Sequence, residues 1–307
     1  MRRIIFIAHG KFQGTPVEKE IRTVFSDSEF TIHFTNHKGH AETLAQEIEI
    51  DESTTIVSVG GDGTLHDIVN GLLRKYNESS PACTLAVYPV GSGNDFARTI
   101  GAHLPLREQK RYIMQNVVTE TDVLFLESTG TDNKPQHHYC INVGGVGLDG
   151  MVARIVNASP KWLNSTMKYH LAVIRSFFQY KKRRAHITVD DTIYVVQTMS
   201  VCFANGKFFG NGLCIAPDAK TNDGNIAVTI IGDVNVFDYI RYVPILRHGD
   251  RIPNAQVTYT QAQTITVTTN APAPIEADGE FAGYSPVTVT VLPKRLRVLN
   301  YRITDHE

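Results

Sequence analysis

The chain has 307 residues, of which 42% are hydrophobic and 20% charged, and its formal net charge is -1. This balance is typical of a globular protein with room for two domains, and it gives no support to nucleic-acid binding. No apolar run approaches the ~20 residues of a transmembrane helix, and the short apolar run after Arg2 and Arg3 is too short for a signal peptide. We therefore expect a cytoplasmic protein with only peripheral membrane contact.

The first third of the chain alternates strand-like and helix-like segments. Residues 3–8, 31–35, 56–59 and 83–88 are predicted strands, and residues 41–50 and 65–73 are predicted helices. Such alternation predicts a doubly wound α/β sheet with parallel strands. The loop after the first strand, residues 9–14, then lies at the edge of the sheet where ligands bind.

A glycine-rich turn, Gly60-Gly61-Asp62-Gly63-Thr64, ends the third strand and opens the next helix. Glycine allows the backbone to approach a ligand closely, and a helix N-terminus favours an anion. The need for a tight turn would explain one glycine, but it explains poorly three glycines that flank a carboxylate. The turn therefore predicts a phosphate site. Thr64 and Asp67 also have the spacing of a capping box.

A second turn of the same kind follows the strand at residues 83–88. It contains Gly91-Ser92-Gly93-Asn94-Asp95, and either Asn94 or Asp95 is expected to cap the short helix after it. One strand-helix repeat separates the two turns, so both should lie at the same edge of the sheet.

From about Thr121 the pattern becomes mainly β. Predicted helices cover 151–156 and 168–178, and predicted strands cover 122–126, 139–143, 187–189, 194–204, 226–231, 256–260, 264–268, 287–291 and 296–303. The basic run Lys181–Arg184 is either an ordinary solvated surface or a contact with an anionic membrane.

Several familiar motifs are absent or weak. There is no G-x-x-x-x-G-K-[ST] sequence, which excludes a Walker-type loop. Residues 145–150 match G-x-G-x-x-G, but no acid follows before Asp190, so a close-packed turn is favoured over a dinucleotide site. The four cysteines are far apart in apolar surroundings, which favours free thiols.

Two acidic turns allow both a structural and a chemical interpretation. Asn222-Asp223-Gly224 can be a simple turn or can contribute to a metal site. Residues 276–280 can be a hairpin turn with charged flanks, or they can supply a base and an acid for phosphoryl transfer.

Together these motifs resemble the diacylglycerol kinase catalytic-domain family, which includes bacterial lipid kinases and sphingosine kinases. The most specific matches are Gly60–Thr64 with Val69–Leu72, and Pro89–Arg98; weaker matches cover residues 142–149, 205–212, 216–219 and 278–280. The resemblance implies an ATP-dependent lipid kinase. It implies a nucleotide-binding domain at 1–121, to which 292–307 return, a mainly β, sandwich-like lipid domain at 122–291, and a cleft between them.

The resemblance also implies roles for single residues. Glu280 is implied as the proton acceptor, and Lys220, Asp223 and Asn225 as a Mg²⁺ site. We also expect Asp62 to be catalytic, by positioning the nucleotide, the magnesium or the nucleophile. The implied ATP contacts are Ala8, His9, Gly10, Lys11, Phe12, Thr35, Gly60, Gly61, Asp62, Gly63, Thr64, Leu65, His66, Gly91, Ser92, Asn94 and Asp95. The first loop departs from the family's Asn-Pro-x-x-Gly, and Ser92 replaces the usual threonine.

The expected acceptor is diacylglycerol or a related lipid at the membrane surface. Two alternatives stay open: a kinase for a soluble substrate of the NAD-kinase type, which shares Gly-Gly-Asp-Gly-Thr, and a nucleotide-binding regulator without catalysis. The sequence does not decide which lipid is phosphorylated, nor the oligomeric state.

Overall fold

The computed structural model describes residues 2–77, 79–159 and 165–301. Its contacts divide the chain into two compact units, Met1–Thr121 with Lys294–Glu307, and Asp122–Pro293. Among the described residues, no helix has both the length and the apolar composition needed to cross a membrane.

The first unit is built on a parallel sheet. Its strands are β1 (Arg3–Ala8), β2 (Phe30–Phe34), β3 (Thr54–Gly60) and β4 (Thr84–Pro89), and they are joined by the end of a long last strand, β17 (Glu280–Leu299). The order is β2-β1-β3-β4-β17, and every described pairing is parallel. All residues of β3 are buried, as expected for a central strand covered on both faces.

Helices connect these strands, as the alternating pattern predicts. They are α1 (Pro16–Val24), α2 (His40–Glu47), α3 (Asp62–Lys75), α4 (Asp95–Ile100) and α5 (Leu106–Gln115). The predicted capping box is wrong, because α3 already begins at Asp62 and Thr64 lies inside its first turn. The sequence reading missed α1 and α5, although Pro16 at the start of α1 is a recognised N-terminal signal.

The second unit is mainly antiparallel. Its strands form the order β14-β13-β10-β7-β16-β17, and β17 also pairs with β15, which continues through β8 to β9. The strands are β5 (Val118–Thr129), β6 (Pro135–Cys140), β7 (Val143–Gly147), β8 (Arg183–Val189), β9 (Thr192–Thr198), β10 (Ser200–Ala204), β11 (Phe208–Phe209), β12 (Leu213–Cys214), β13 (Ile226–Ile231), β14 (Val257–Ala262), β15 (Thr264–Thr269) and β16 (Pro274–Ala277).

These strands enclose a hydrophobic core that includes Val201, Phe203, Ile226, Ile265 and Val287. The described residues of this unit also form the helices α6 (Leu148–Ala158), α7 (Ser165–Gln179) and α8 (Val236–His248). The sequence reading missed α8, and it divided β17 into two strands; the second predicted strand, 296–303, ends beyond the described residues.

Candidate functional site

The ligand edge of the first unit is formed where three parallel strands end. Ala8 of β1 is opposite Val59 of β3, and Gly60 is opposite Pro89 of β4. The loops that follow these strands are therefore neighbours. The predicted ATP contacts lie in these loops, in the strand ends that precede them and in the first turns of α3 and α4, except for Thr35, which follows β2.

The first loop is held against Thr35. The amide N–H of Gly10 donates to Thr35 Oγ1 at 3.0 Å, and the amide N–H of Thr35 donates to the carbonyl of Ala8 at 2.9 Å. A Cβ atom on Gly10 would collide with the Thr35 carbonyl oxygen, so only glycine fits there. The structure thus brings together the predicted contacts at residues 8–12 and Thr35, and it leaves His9 and Lys11 exposed.

The two glycine-rich turns touch through their backbones. The amide N–H groups of Val90 and Gly91 both donate to the carbonyl of Gly60, at 3.1 and 2.9 Å. A Cβ atom on Gly91 would lie 2.6 Å from the amide nitrogen of Gly61. Gly91 is therefore required by close packing of one loop on the other, and both loops form a single backbone surface.

Asp62 fixes the second turn from the first. Its Oδ1 accepts the amide N–H of Phe96 at 3.2 Å, in the first turn of α4, and its Oδ2 would be 2.8 Å from a Cβ atom on Gly93. Asn94 is the N-cap residue of α4, but its side chain makes no capping bond. It accepts from the Gly91 amide N–H and donates to the Gly91 carbonyl instead, so Asp62 does the capping expected of Asn94.

The remaining predicted contacts differ in how a ligand could reach them. The side chains of Thr64, Leu65, His66, Asn94 and Asp95 are buried, whereas Ser92 is exposed. A ligand at this edge can therefore meet the turn through its backbone and through Ser92. The N-terminus of the 14-residue helix α3 lies at the same place and favours an anion.

In the second unit, the acidic turn is a tight hairpin between β16 and β17. Asp278 and Gly279 both have positive φ angles, 52° and 86°, as a two-residue Asp-Gly hairpin turn requires. The Asp278 carboxylate accepts the amide N–H groups of Ile141 and Asn142, at 3.1 and 2.9 Å, and it accepts the Cys140 thiol at 3.1 Å. Asp278 therefore anchors the turn.

The two glutamates beside this turn have different surroundings. Glu276 is 4% exposed and accepts the amide N–H of Gly279 at 2.7 Å, and burial raises the pKa of its carboxyl group well above the ordinary value. Glu280 is only half-buried, with Asn157 Nδ2 at 3.5 Å from its Oε2. Of the three acids at 276–280, Glu280 is the one that a substrate can reach.

The predicted metal residues lie on the loop before β13. Asp223 Oδ1 accepts the amide N–H of Asn225 at 3.1 Å, while Asp122 Oδ2 accepts the amide N–H of Gly224 at 2.7 Å and pins the loop to β5. The exposed Asp223 carboxylate and nearby carbonyls are hard oxygen donors that suit Mg²⁺. In the described part of the chain no three His, Cys, Asp or Glu side chains cluster as metal ligands, so this site would depend on backbone carbonyls and water.

Sequence reasoning missed Asp149. It is the second residue of α6, and its carboxylate accepts the Ser200 hydroxyl and, at 3.1 Å, the Cys202 thiol. A Cβ atom on Gly145 would lie 2.6 Å from Asp149 Oδ2, and burial raises the pKa of Asp149. The glycines of 145–150 thus make room for a carboxylate, and an acid just after a glycine-rich strand was the signal available in the sequence.

An apolar cavity lies beside Asp149 within the second unit. Its walls come from α6, α7, α8 and the sheet, and they include Leu148, Val173, Phe177, Ile215, Tyr239 and Leu246. The space accessible to the centre of a water molecule is about 70 Å³, several times the ~10–15 Å³ that one water needs. Asp149 and Ser200 are among the few polar groups on its wall.

Comparison with known proteins covers both units. Residues 3–126 match the diacylglycerol kinase catalytic domain, and residues 142–300 match the YegS C-terminal NAD kinase beta sandwich-like domain. The chain belongs to the diacylglycerol kinase catalytic-domain family. This match confirms the resemblance drawn from the motifs, and it makes the chain a member of a kinase family with an α/β unit and a β sandwich-like unit.

Individual relatives of the family are distant. The chain is 25% identical over 272 residues to a diacylglycerol kinase of Bacillus subtilis, covering 88% of this chain and 86% of the relative. It is 26% identical over 249 residues to a diacylglycerol kinase of Mycobacterium tuberculosis, covering 80% and 77%.

Solved structures resemble the fold along nearly the whole chain. A diacylglycerol kinase from Bacillus anthracis matches with a TM-score of 0.70 at 19% identity, covering 98% of this chain and 97% of that one. A yeast NADH kinase complexed with NADH matches with a TM-score of 0.51 at 12% identity, covering 97% and 82%. At these identities the likeness establishes the fold.

Proposed function

We propose that this protein is an ATP-dependent lipid kinase that transfers the γ-phosphoryl group of ATP to a hydroxyl group of diacylglycerol or a related lipid. The observation that carries the proposal, beyond the family match, is the apolar cavity beside Asp149 in the β-rich unit.

The cavity suits a hydrocarbon chain better than a soluble acceptor. Each buried methylene group contributes about 0.8 kcal/mol to binding, and an alkyl chain needs no hydrogen-bond partners. A dinucleotide would lose hydration of its phosphates and ribose hydroxyls in a wall that offers few polar groups, at a cost of several kcal/mol. Asp149 and Ser200 can instead accept or donate hydrogen bonds at the polar end of a lipid.

The loops of the first unit provide the features that a nucleotide triphosphate needs. The touching turns at Gly60–Thr64 and Gly91–Asp95 offer a backbone surface, and the α3 N-terminus supplies favourable dipole charge for phosphate oxygens. Thr35 and the exposed loop at His9–Phe12 are proposed to contact the rest of the nucleotide. Positioning and charge stabilisation dominate phosphoryl transfer, so a fixed backbone that holds the phosphates at this edge suits the reaction.

Glu280 is proposed to act on the lipid hydroxyl. The hydroxyl oxygen forms a bond to the γ-phosphorus, the bond to ADP breaks, and the hydroxyl proton passes to the Glu280 carboxylate. Mg²⁺ bound with ATP would neutralise part of the phosphate charge. Asp62 would position the phosphates and their Mg²⁺ against the two glycine-rich turns. Asp223 and the carbonyls of Lys220 and Asn225 would hold a separate, structural Mg²⁺.

The alternative acceptor is a pyridine nucleotide. The fold likeness to a yeast NADH kinase and the shared Gly-Gly-Asp-Gly-Thr turn favour it. A second alternative is a regulator that binds nucleotide without transfer, and the altered first loop favours that one.

An assay with γ-labelled ATP tests the proposal. The purified protein is incubated separately with diacylglycerols of increasing chain length, a sphingoid base, phosphatidylglycerol and NAD, and products are separated by chromatography. Label in a lipid supports the proposal. Label in NADP alone supports the NAD-kinase alternative, and ATP binding without transfer to any acceptor supports the regulator.

A substitution in the cavity wall lets the same assay test whether the cavity binds the lipid chain. Val173→Phe places extra bulk at a buried wall position, at a cost in stability of about 1–3 kcal/mol. The ratio of turnover on long-chain to short-chain diacylglycerol should fall at least about tenfold, with ATP binding unchanged. The ratio is taken within one variant, so partial unfolding cancels, and an unchanged ratio would remove the cavity from the lipid path.

A further inference from the structure

An exposed arginine of α6 lies beside the hairpin that carries Glu280. The Arg154 Nη1 atom donates to the Tyr284 hydroxyl at 3.0 Å, and the guanidinium lies 5.5 Å from the centre of the Phe281 ring. Phe281 directly follows Glu280 in the sequence. Among the described residues no carboxylate forms an ion pair with Arg154, although its side chain is exposed. The second unit therefore presents a positive charge without an acidic partner close to its proposed base.

Helix α6 packs directly on the strand that leads into this hairpin. A Cβ atom on Gly150 would collide with the carbonyl oxygen of Pro274, the first residue of β16, so only glycine allows the two backbones to approach this closely. The buried side chains of Val152 and Ala153 anchor the same part of the helix. The backbone that carries Arg154 is therefore held in a fixed position relative to the hairpin.

One turn further along α6, Asn157 contacts the hairpin itself. Residues three positions apart in a helix share a face, so Arg154 and Asn157 project to the same side of α6. The Asn157 Nδ2 atom donates to the Gly279 carbonyl at 3.3 Å and lies 3.5 Å from Glu280 Oε2. The residues that α6 places against Glu280 and against the Phe281 ring are thus one helical turn apart.

The contacts of Arg154 leave most of its hydrogen-bonding capacity for a ligand. A guanidinium has five N–H donors in one plane, and one of its nitrogens donates to Tyr284. The Phe281 ring supports the guanidinium through a cation–π contact, which occupies no donor. A planar fork of this kind can bind two oxygens of a phosphate group at once. Arg154 is therefore oriented as a phosphate ligand would be.

We propose that Arg154 binds the phosphoryl group as it reaches the acceptor, and that it also binds the phosphate monoester of the lipid product. The inference rests on the proposed function, in which Glu280 takes the proton of the acceptor hydroxyl. The oxygen of that hydroxyl forms the new bond to phosphorus, so the phosphoryl group must come next to Glu280. Arg154 makes and breaks no bond; its charge stabilises the negative charge on the outer oxygens of the phosphoryl group.

Calorimetric titration with a soluble product measures this contact without turnover. The probes are dihexanoyl phosphatidate, which carries a phosphate monoester, and dihexanoyl glycerol, which is the same lipid without it. Arg154→Gln should bind the phosphatidate at least about tenfold more weakly than wild type, and dihexanoyl glycerol within about twofold. Arg154→Lys keeps the charge but loses the planar fork, so its affinity for the phosphatidate should fall less, by about threefold.

Turnover supplies a second readout that a packing role would not change. A neutral acceptor offers Arg154 no anion before the transfer, so Arg154→Gln should lower kcat at least about a hundredfold and leave KM for dihexanoyl glycerol within about threefold. Guanidinium ion added to Arg154→Ala should raise its turnover at least about tenfold, because it can replace the missing group. The same addition should not raise the turnover of Glu280→Gln.

Arg241→Gln is the matched control. Arg241 is also exposed in the second unit, on α8, and its guanidinium lies 5.9 Å from the centre of the Tyr242 ring. This variant should stay within about twofold of wild type in phosphatidate binding and in kcat. All of the arginine variants should keep the wild-type melting temperature within about 3 °C, because both side chains are exposed.

Three results would overturn the inference. In the first, Arg154→Gln binds phosphatidate as wild type does. In the second, it loses affinity for phosphatidate and for dihexanoyl glycerol equally, so that Arg154 only supports the packing of the hairpin. In the third, wild type does not bind phosphatidate. If wild type phosphorylates no lipid with labelled ATP, the proposed function fails, and the titration still decides whether Arg154 binds a phosphate monoester.

Discussion

Glu280→Gln is the substitution that separates catalysis from structure most sharply. Glu280 is half-buried next to Asn157, whereas its neighbours Glu276 and Asp278 are buried and bonded to the backbone of the second unit. Glutamine keeps the size of the side chain and a hydrogen-bonding oxygen, and it loses only the capacity to take a proton. The predicted effect is on turnover, with little effect on folding.

The size of the effect follows from the proposed role. A positioned general base typically contributes ~10²–10⁴-fold to the rate, which corresponds to about 3–5 kcal/mol of barrier. ATP affinity should not change, because the residues proposed to bind ATP all belong to the other unit. A fall in kcat at constant affinity for ATP is the signature of an interaction that matters in the transition state.

Glu276→Gln is the matched control. Burial raises the pKa of Glu276 well above the ordinary value, so glutamine is nearly isosteric with the neutral acid and can still accept the Gly279 N–H. We expect turnover within about threefold of wild type and, near pH 5, where the raised pKa keeps Glu276 neutral, a melting temperature within about 3 °C. The assay is phosphoryl transfer from labelled ATP at saturating lipid, with calorimetry on the same samples. If Glu280→Gln keeps turnover within about threefold of wild type, Glu280 only closes the hairpin and the reasoning is refuted.

Three further predictions follow from the same geometry. Asp62→Asn should lose more than about tenfold in turnover, or ~1.4 kcal/mol, with an unchanged melting temperature, because asparagine can still accept the Phe96 N–H but carries no charge; turnover above a tenth of wild type would contradict its assigned role. Asp223→Ala should abolish the increase in melting temperature with Mg²⁺, and an unchanged response would remove that site. Because the raised pKa of Glu276 lets the folded state hold a proton that the unfolded state has lost, wild-type stability falls as pH rises above the ordinary carboxyl pKa. The melting temperature of Glu276→Gln relative to wild type should therefore increase from about pH 5 to about pH 8, and a constant difference would exclude this titration.

Local chemistry made much of the first unit predictable. Strand-helix alternation and the glycines at 60–63 and 91–93 place two turns at one sheet edge, and the parallel register does bring those turns together. The sequence could not show that Asp62 caps α4, because that contact joins residues 34 positions apart and depends on how two loops pack. The sequence offered Asn94 or Asp95 as the capping residue of α4, and the Asn94 alternative was wrong for the same reason.

The second unit was harder to predict from sequence. The apolar run of β13 made that strand predictable, whereas the predicted strand 194–204 wrongly joined β9 and β10. Helix α8 carries Phe237 and Ile240 on its exposed side and so lacks a clean apolar stripe. Asp149 escaped notice because its value as a site residue depends on Ser200 and Cys202, which are 51 and 53 positions away. A cavity between helices and a sheet likewise has no signature in a single sequence.

The central claim is that the phosphoryl group goes to a lipid, and one competition measurement tests it. Wild-type protein receives γ-labelled ATP with diacylglycerol and NAD together at equal concentration, and the label is counted after extraction into organic and aqueous phases. We predict that transferred label is found in the organic phase and that Glu280→Gln lowers it at least about a hundredfold. Label that enters NADP in the aqueous phase, with none in the lipid, would contradict the account.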